Sequence, residues 1–555
     1  MKQVKKQIKK EARMITLLLL IITTVSHAQN ASYNANTIPI SGISCTALGY
    51  HALFSNNPSG YYNTACGYSS LFSNTTGNYN TASGSYSLYS NTTGSYNTAS
   101  GYLSLYSNST GSNNTASGYS SLYSNTTGSN NTASGYTSLY YNTLGNYNTA
   151  SGSYSLYSNT TGNFNAANGV HSLYSNTTGY YNTASGGKSL YSNTTGYNNT
   201  ASGYYSLYSN TTGYNNTASG YYSLFSNTTG NNNTANGYSS LYSNTTGYNN
   251  TASGLSSLLS NTTGTFNTAT GYSSLAFNTA GSNNSANGSY SLYFNTTGSY
   301  NTANGYVSLI SNTTGGGNSA AGYYSLLSNT TGINNTAYGM NSLTSNITGS
   351  NNTALGDSAG FSSTGNKNVY IGNLAGYNET SGSNKLYLAN DSNKTIIYGD
   401  FSTGQVLLGK GNPTGYTFKG TRTLNVVGGV ITDSARVAFV SGWADYVFDD
   451  SYKMLPIEEL GRYLKENKHL PNIPSSSEVQ HNGIDLGAMD AKLLEKIEEL
   501  HLYILQQQKQ IGQQQIQIDT QNKTNESIIK KTDEQNKTTE LLQKQIDQLK
   551  AQLKK

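Results

Sequence analysis

Asn80-Thr-Ala-Ser-Gly-Ser-Tyr-Ser-Leu-Tyr-Ser-Asn-Thr-Thr-Gly-Ser-Tyr96 decides the fold of this chain, because the same 17-residue pattern recurs along more than half of it. The Asn that opens the unit returns at every seventeenth position from Asn63 to Asn352, without insertion or deletion. Repetition at a fixed period is typical of a solenoid, in which each unit forms one coil of a stack. The sequence therefore predicts a mainly β fold, a β-solenoid of 17-residue repeats.

Four positions of the unit keep one residue type almost throughout: Asn, then Gly, Leu and Gly at four, eight and fourteen residues after it. Gly permits the positive φ of a tight corner, so we predict two short strands per coil, Thr-Ala-Ser and Tyr-Ser-Leu-Tyr, with Ala and Leu pointing inward. Gly360 breaks the Leu rule in the last unit. We expect these positions to carry the structural repeat, beginning with Asn63, Gly67, Leu71, Gly77, Asn80, Gly84, Leu88 and Gly94.

A single coil holds too few apolar residues to offset the entropy of ordering it, so stability must come from stacking. We expect the recurring Asn to form a hydrogen-bonded ladder from coil to coil. Pro is absent between Ser59 and Asn412, as stacked strands require. Atypical units flank the array and are expected to cap it: residues 45–60 before it, and two 16-residue units keyed on Asn368 and Asn384 after it.

Charge is scarce in the array, because Lys188 and Asp357 are its two charged side chains between residues 46 and 365. Nucleic-acid binding needs clustered Lys and Arg, so we expect no nucleic-acid partner. The two cysteines of the chain, Cys45 and Cys66, match no metal-ligand spacing. They could form a disulfide within or between chains, or be two small buried residues. We expect neither a metal nor another cofactor.

The first 28 residues are predicted to be a secretory signal peptide, with a basic start, a short apolar core from Ile15 to Val25, and a small-residue site at Ser26-His27-Ala28. The alternative is an uncleaved membrane anchor. Residues 29–44 would then form an N-terminal segment before the solenoid of residues 45–366. No other segment is apolar and long enough to span a membrane as a helix, so we expect no spanning segment after signal removal.

The motif Asn-Thr-Ala-x-Gly, followed by Ser-Leu and Asn-Thr-Thr-Gly, resembles the head repeats of trimeric autotransporter adhesins, and similar repeats in phage tail fibres and Bacteroidetes surface proteins. The resemblance covers about 320 residues and implies a trimer of left-handed parallel β-rolls. One departure is the C-terminus, which is helical in pattern and lacks the alternating strands of an autotransporter membrane anchor.

Composition changes after the array. We predict a β-rich connector at residues 367–420, with strands between Asn384 and Leu408, and a small α+β domain at residues 421–485 with a strand pair from Thr423 to Val440 and a helix from Leu455 to Glu466. This region resembles tail-fibre proteins related to the intramolecular chaperone of phage endosialidases. The residues that carry the resemblance are the stretches 442–448, 466–471, 473–475, 482–487 and 492–500.

The resemblance implies a module that assists trimer assembly, and in cleaving relatives a Ser–Lys dyad releases it. Here Ser434-Ala435-Arg436 is the nearest match, and Phe439 stands where the Lys should be. A Ser without its base is not activated, so we expect a chaperone that does not cleave itself. His469 and Trp443 are interpreted as structural, with Trp443 in the core.

One heptad register runs through residues 486–555, with Ile at many a positions and Leu or Gln at d. Ile-rich seams favour trimers over dimers, so we predict a parallel trimeric coiled coil. The expected trimerisation residues are Ile497, Leu500, Ile504, Ile511, Ile518, Ile546 and Leu549.

Together these features predict a non-enzymatic, homotrimeric fibre, secreted or associated with the outer membrane of a Gram-negative bacterium. The expected function is adhesion to a glycan, matrix or host-cell ligand, since Tyr and Asn suit polar contacts at low entropy cost. The alternatives are a structural spacer, a phage-derived receptor-binding fibre and a self-cleaving peptidase.

Overall fold

The computed structural model describes residues 45–56, 59–409, 418, 421–438 and 443–554, so the predicted signal peptide and N-terminal segment lie outside the described residues. The chain divides into two compact units, one ending at Gly429 and one beginning at Val430. The first unit confirms the predicted β-solenoid: 21 successive strands, β1 to β21, pair in parallel with their sequence neighbours.

Each coil contributes one three-residue strand, and equivalent residues of neighbouring coils pair directly, as in Ala65 with Ala82. The strands of the solenoid are β1 Thr46–Leu48, β2 Thr64–Cys66, β3 Thr81–Ser83, β4 Thr98–Ser100, β5 Thr115–Ser117, β6 Thr132–Ser134, β7 Thr149–Ser151, β8 Ala166–Asn168, β9 Thr183–Ser185, β10 Thr200–Ser202, β11 Thr217–Ser219, β12 Thr234–Asn236, β13 Thr251–Ser253, β14 Thr268–Thr270, β15 Ser285–Asn287, β16 Thr302–Asn304, β17 Ser319–Ala321, β18 Thr336–Tyr338, β19 Thr353–Leu355, β20 Val369–Ile371 and β21 Lys385–Ala389.

The predicted second strand of each coil is wrong. The Tyr-Ser-Leu-Tyr segment is a series of turns, in which the Leu itself has a positive φ, 50° at Leu88 and 51° at Leu207. A strand needs φ near −120°, so this segment cannot extend. The turns fold the Leu side chain into the coil, and their main-chain N–H groups still donate to the next coil, as Leu88 N does to Ser104 O at 3.0 Å.

The core of the solenoid is two columns of side chains, the strand Ala and the turn Leu, and both predictions are confirmed. Ala82 and Leu88 are fully buried, and so are nearly all their equivalents. Gly360 occupies the Leu position of the last regular unit because the buried ring of Tyr370 fills that space: a Cβ on Gly360 would lie 2.6 Å from the ring. Tyr370 donates to Ser363 Oγ at 2.8 Å, so this ring closes the core without leaving a polar atom unpaired.

The flanking units continue the stack at both ends. Strand β1 pairs with β2, so the degenerate unit at the N-terminal end forms a coil. At the other end Val369 pairs with Leu386, 17 residues on. The unit keyed on Asn384 is therefore displaced by one residue, and Lys385 takes the Asn position, where its backbone N–H donates to Asn368 Oδ1 at 2.8 Å.

Beyond β21 the sheet reverses direction. The strands predicted between Asn384 and Leu408 are present: β22 (Thr395–Asp400) pairs antiparallel with β21 and with β23 (Gln405–Leu408), and β24 (Leu424–Val426) pairs in parallel with β23. The predicted strand pair from Thr423 to Val440 is wrong over its described part, where β24 is the single strand; Phe439 and Val440 lie outside the described residues.

The second unit is helical. It contains a 3₁₀ turn at Ala444–Phe448, then α1 (Ile457–Asn467), α2 (Ser476–Asn482) and α3 (Leu486–Gln552). The helix predicted from Leu455 to Glu466 is thereby confirmed. A capping box starts α2, in which Ser475 and Glu478 satisfy each other's backbone N–H, and the Asp485 side chain caps α3. No helix in the described part of the chain is long and apolar enough to cross a membrane.

Candidate functional site: the exposed surface of the repeat array

The predicted Asn ladder is present and buried. Asn80 Nδ2 donates to Asn63 Oδ1 at 3.2 Å and to Gly94 O at 2.9 Å, and the backbone N–H of Asn80 donates to the same Asn63 oxygen at 2.9 Å. This first ladder runs on to Asn368. Each Asn thus bonds to the Gly carbonyl fourteen residues later and to the Asn of the coil before it, and its role is structural.

A second ladder escaped the sequence analysis. The Asn of Ser-Asn-Thr-Thr is also fully buried, and Asn91 Nδ2 donates to Asn74 Oδ1 at 2.8 Å and to Gly94 O at 3.0 Å. Its signal was present, because this Asn recurs at the same 17-residue step up to Asn346. The two ladders share the Gly94 carbonyl, so both buried amides of this corner are bonded. At the last member of the second ladder, Asn346, the Oδ1 atom is buried and has no partner among the described residues.

The two repeated glycines serve different purposes. Gly67 and Gly84 have φ of 141° and 132°, which L side chains rarely adopt. Gly77 and Gly94 have no positive φ; a Cβ there would meet the carbonyl oxygen of the Gly in the next coil at 2.3 Å. The first pair is required by the turn and the second by the close approach of stacked coils.

Aromatic rings form a continuous stack along one edge of the array. Consecutive rings are 4.9–5.4 Å apart between centroids and within 23° of parallel. Because each ring face is covered by its neighbours, the stack presents ring edges and hydroxyls to solvent. We name it the inner row: Phe54, Phe72, Tyr89, Tyr106, Tyr123, Tyr140, Tyr157, Tyr174, Tyr191, Tyr208, Phe225 and Tyr242.

A second set of tyrosines stands further out, five residues after the ladder Asn, with each side chain between 40% and 53% exposed. It supplies ten exposed phenols at one position of the repeat. We name it the outer row: Tyr68, Tyr102, Tyr119, Tyr136, Tyr204, Tyr221, Tyr238, Tyr272, Tyr306 and Tyr323.

Burial and hydrogen bonds change the pKa of several phenols in the array. Burial raises the pKa of Tyr157 to about 12, and a hydrogen bond with Tyr222 raises the pKa of Tyr221 to about 12. At Tyr205, which belongs to neither row, the shift is in the other direction: Lys188 Nζ donates to its hydroxyl at 3.0 Å and lowers the pKa of Tyr205. The two rows themselves offer a surface of rings and hydroxyls without charged side chains.

In the second unit, a buried carboxylate joins the 3₁₀ turn and the loop after α1 to the start of α3. Glu495 accepts from Tyr446 at 2.7 Å, Asn472 at 3.1 Å and Lys496 at 2.6 Å. Burial acts to raise the pKa of Glu495, but the hydrogen bonds from Lys496, Tyr446 and Asn472 outweigh it and lower that pKa. The hydrogen bond from the Tyr446 hydroxyl to Glu495 raises the pKa of Tyr446 to about 12. With its partners engaged, the cluster is a structural anchor.

The candidate catalytic residues are not assembled into a site. The His469 ring lies against Tyr463 and its Nδ1 is 3.0 Å from Leu470 O. Trp443 is 52% exposed, so its predicted place in the core is wrong for the single chain. Phe439, which stands in the dyad position, lies outside the described residues. The described residues contain no group of three or more His, Cys, Asp or Glu that could hold a metal.

The heptad residues Ile497, Leu500, Ile504, Ile511, Ile518, Ile546 and Leu549 all lie on α3, and each is 43–58% exposed. Cys45 and Cys66 are free thiols; Cys66 is exposed, so the interpretation of both as buried residues is wrong.

Comparison with family models, curated proteins and solved structures finds no match for this chain.

Proposed function

We propose that this chain is an exported homotrimeric fibre that acts as an adhesin, secreted or at the surface of a Gram-negative bacterium, with a C-terminal module that promotes its assembly. The observation that carries the proposal is the outer row, which presents an exposed phenol at the same position of ten coils of a nearly uncharged array. Tyr contributes a large contact area at low entropy cost. Many weak contacts on one rigid support add up to strong attachment to a repetitive ligand such as a glycan or matrix polymer.

The trimer is proposed from the seam of α3. A single 67-residue helix about 100 Å long leaves its a and d side chains exposed. Burying one Ile or Leu contributes about 1.5–3 kcal/mol, so a second and third copy would stabilise this helix strongly.

Sedimentation of the full chain tests assembly. Wild type should sediment as three chains, and Ile504→Asp combined with Ile511→Asp should dissociate it, because charges would enter two layers of the seam. Lys509→Asp changes charge at an outward f position of the same helix and should leave three chains. A monomeric wild type, or a trimer that survives both Asp substitutions, contradicts this part of the proposal.

Adhesion is tested with the same protein against arrays of glycans, matrix proteins and host cells. Binding that falls when Tyr119, Tyr136 and Tyr221 are changed to Ser, a residue found at this position in other coils, supports the adhesin. Wild-type binding by that variant, or no binding of the wild type to any glycan, matrix protein or cell, would contradict the adhesin proposal. The second outcome favours a spacer, a function supported by the uninterrupted register of the strands. A phage-derived receptor-binding fibre is a further alternative.

We propose no catalytic role for the chain. The nearest dyad, at Ser434, has Phe439 in place of the base. The intact mass of the purified protein tests this: a product cut near Ser434 would identify a self-cleaving peptidase instead.

A further inference from the structure

One corner of the array departs from all the others. In the unit that begins at Asn301, both residues before the next ladder Asn are glycine, Gly316 and Gly317, where every other unit of the regular array carries at least one side chain. The missing side chains leave a notch of about 540 Å³ in the surface. Small-molecule sites have volumes of about 300–1,000 Å³, so the notch is large enough for one ring-sized ligand.

The notch exposes the face of an unpartnered ring. Tyr300 is 71% exposed, more than any other aromatic residue at this position. Aromatic residues at the same position elsewhere stack on their neighbours, as Tyr79 does on Tyr96 at 4.9 Å. Tyr300 lies between Asn283 and Gly317 in the adjoining coils, and it makes no ring contact with any described residue.

Two backbone N–H groups in the notch lack a side-chain acceptor, as do those of Tyr180 and Tyr197 at the same position of other coils. In the coil before, the backbone N–H of Ser282 donates to Ser299 Oγ at 3.0 Å. The equivalent N–H of Ser299 faces Gly316, whose missing side chain would have supplied the acceptor; a Cβ there would lie 3.8 Å from that nitrogen. Among the described residues Ser299 N–H and Gly316 N–H have no partner. An incoming hydroxyl oxygen would replace the lost acceptor.

The remaining lining is neutral. Hydroxyls of Thr297 and Thr314 and the amide of Asn334 border the notch, and Ile333 adds an apolar wall. The charged side chains of the regular array, Lys188 and Asp357, belong to other coils. A ligand that fits must therefore be uncharged, have one flat apolar face for the ring, and carry hydroxyls on its edge.

We propose that this notch is a binding subsite for a neutral pyranose unit, stacked on the Tyr300 ring with a hydroxyl accepting from Ser299 N–H. The inference deepens the adhesive role and rests on it. It places one specific saccharide contact at a single coil, whereas the outer row supplies repeated, unspecific contacts along the rod.

Saturation-transfer difference NMR of the full-length protein with neutral hexasaccharides of glucose, mannose, xylose and N-acetylglucosamine tests the subsite. Wild type should transfer saturation to the ring protons of at least one of them. Tyr300→Asn should weaken binding about tenfold or more, since one aromatic stack is lost. Asn is a normal residue here, as at Asn283, so the coil should still form.

Gly316→Ser with Gly317→Asn refills the notch with the Ser-Asn pair found at Ser112-Asn113, and it should also weaken binding about tenfold or more. If Tyr300→Asn fails to fold, this variant decides the question. Tyr96→Asn, at the same position of a distant coil, should bind like wild type.

Equal binding by wild type and both notch variants overturns the subsite while leaving adhesion standing. Loss of binding in Tyr96→Asn to the same extent, or no transfer to any of the four sugars, also overturns it. If the wild-type fibre binds neither these sugars nor any surface in the adhesion screen, the adhesive function itself fails.

Discussion

The first Asn ladder should be the strongest single contributor to coil stability, and Asn199→Ala tests this. The substitution removes four hydrogen bonds: Nδ2 to Asn182 Oδ1 at 3.2 Å and to Gly213 O at 2.8 Å, and the two that Asn216 donates to Oδ1, from its backbone N–H at 3.0 Å and its Nδ2 at 3.1 Å. All three Asn residues are fully buried, so water cannot replace the lost partners.

At about 1 kcal/mol for each of the four bonds, with a further 1–3 kcal/mol for the buried N–H of Asn216 left unpaired, the expected loss is about 5–7 kcal/mol. Hydrogen–deuterium exchange of the full-length protein measures it locally. The amides of the coils that contain Asn199 and Asn216 should exchange about 10⁴- to 10⁵-fold faster, since each 1.4 kcal/mol is a factor of ten. Distant coils should keep wild-type protection because each coil contacts only its neighbours.

Two matched variants sharpen the result. Thr200→Ala changes an exposed residue beside the ladder, where Ala166 occurs in another coil, and should cost no more than about 0.5 kcal/mol. Asn210→Ala in the second ladder removes three hydrogen bonds but leaves no backbone N–H without a partner. Its increase in amide exchange should therefore lie between those of Thr200→Ala and Asn199→Ala. If Asn199→Ala exchanges no faster than Thr200→Ala, the ladder is not what holds the coils together.

Three further substitutions follow from the geometry. Gly203→Ala should cost more than about 3 kcal/mol in denaturant unfolding, because φ is 129° and a Cβ would lie 2.6 Å from Gly220 O; a normal unfolding midpoint would contradict the turn geometry. Leu207→Ala should lower the free energy of unfolding by about 2–5 kcal/mol, and Leu207→Met should lower it by less than about 1.5 kcal/mol in the same assay. Equal losses in the two variants would mean that the Leu column is loosely packed. The pKa of Glu495 is lowered, so the second unit should be most stable above the ordinary Glu pKa of about 4.3 and should lose stability as the pH falls below that value. Glu495→Gln should flatten this pH dependence in thermal melts followed by helical circular dichroism. An unchanged pH profile would contradict the role of Glu495 and Lys496 as a structural anchor.

The sequence by itself determined the features that depend on period and polarity. A strict 17-residue step with one Ala and one Leu per unit was enough to place both core columns, and the recurring Asn was enough to predict the first ladder. Helical spacing and the prolines that follow it located α1, and the unbroken heptad register located α3. In each case the outcome rests on local conformation or on which side chains avoid water.

Tertiary structure decided everything that depends on what the next coil places opposite a residue. The positive φ of Leu88 follows from folding its side chain into the stack, and the need for Gly77 follows from a carbonyl 17 residues away. The ring of Tyr370 explains Gly360, and the missing side chain of Gly316 frees an N–H in the coil before it. These contacts join residues one coil apart, so their distances and directions exist only once the coils are stacked.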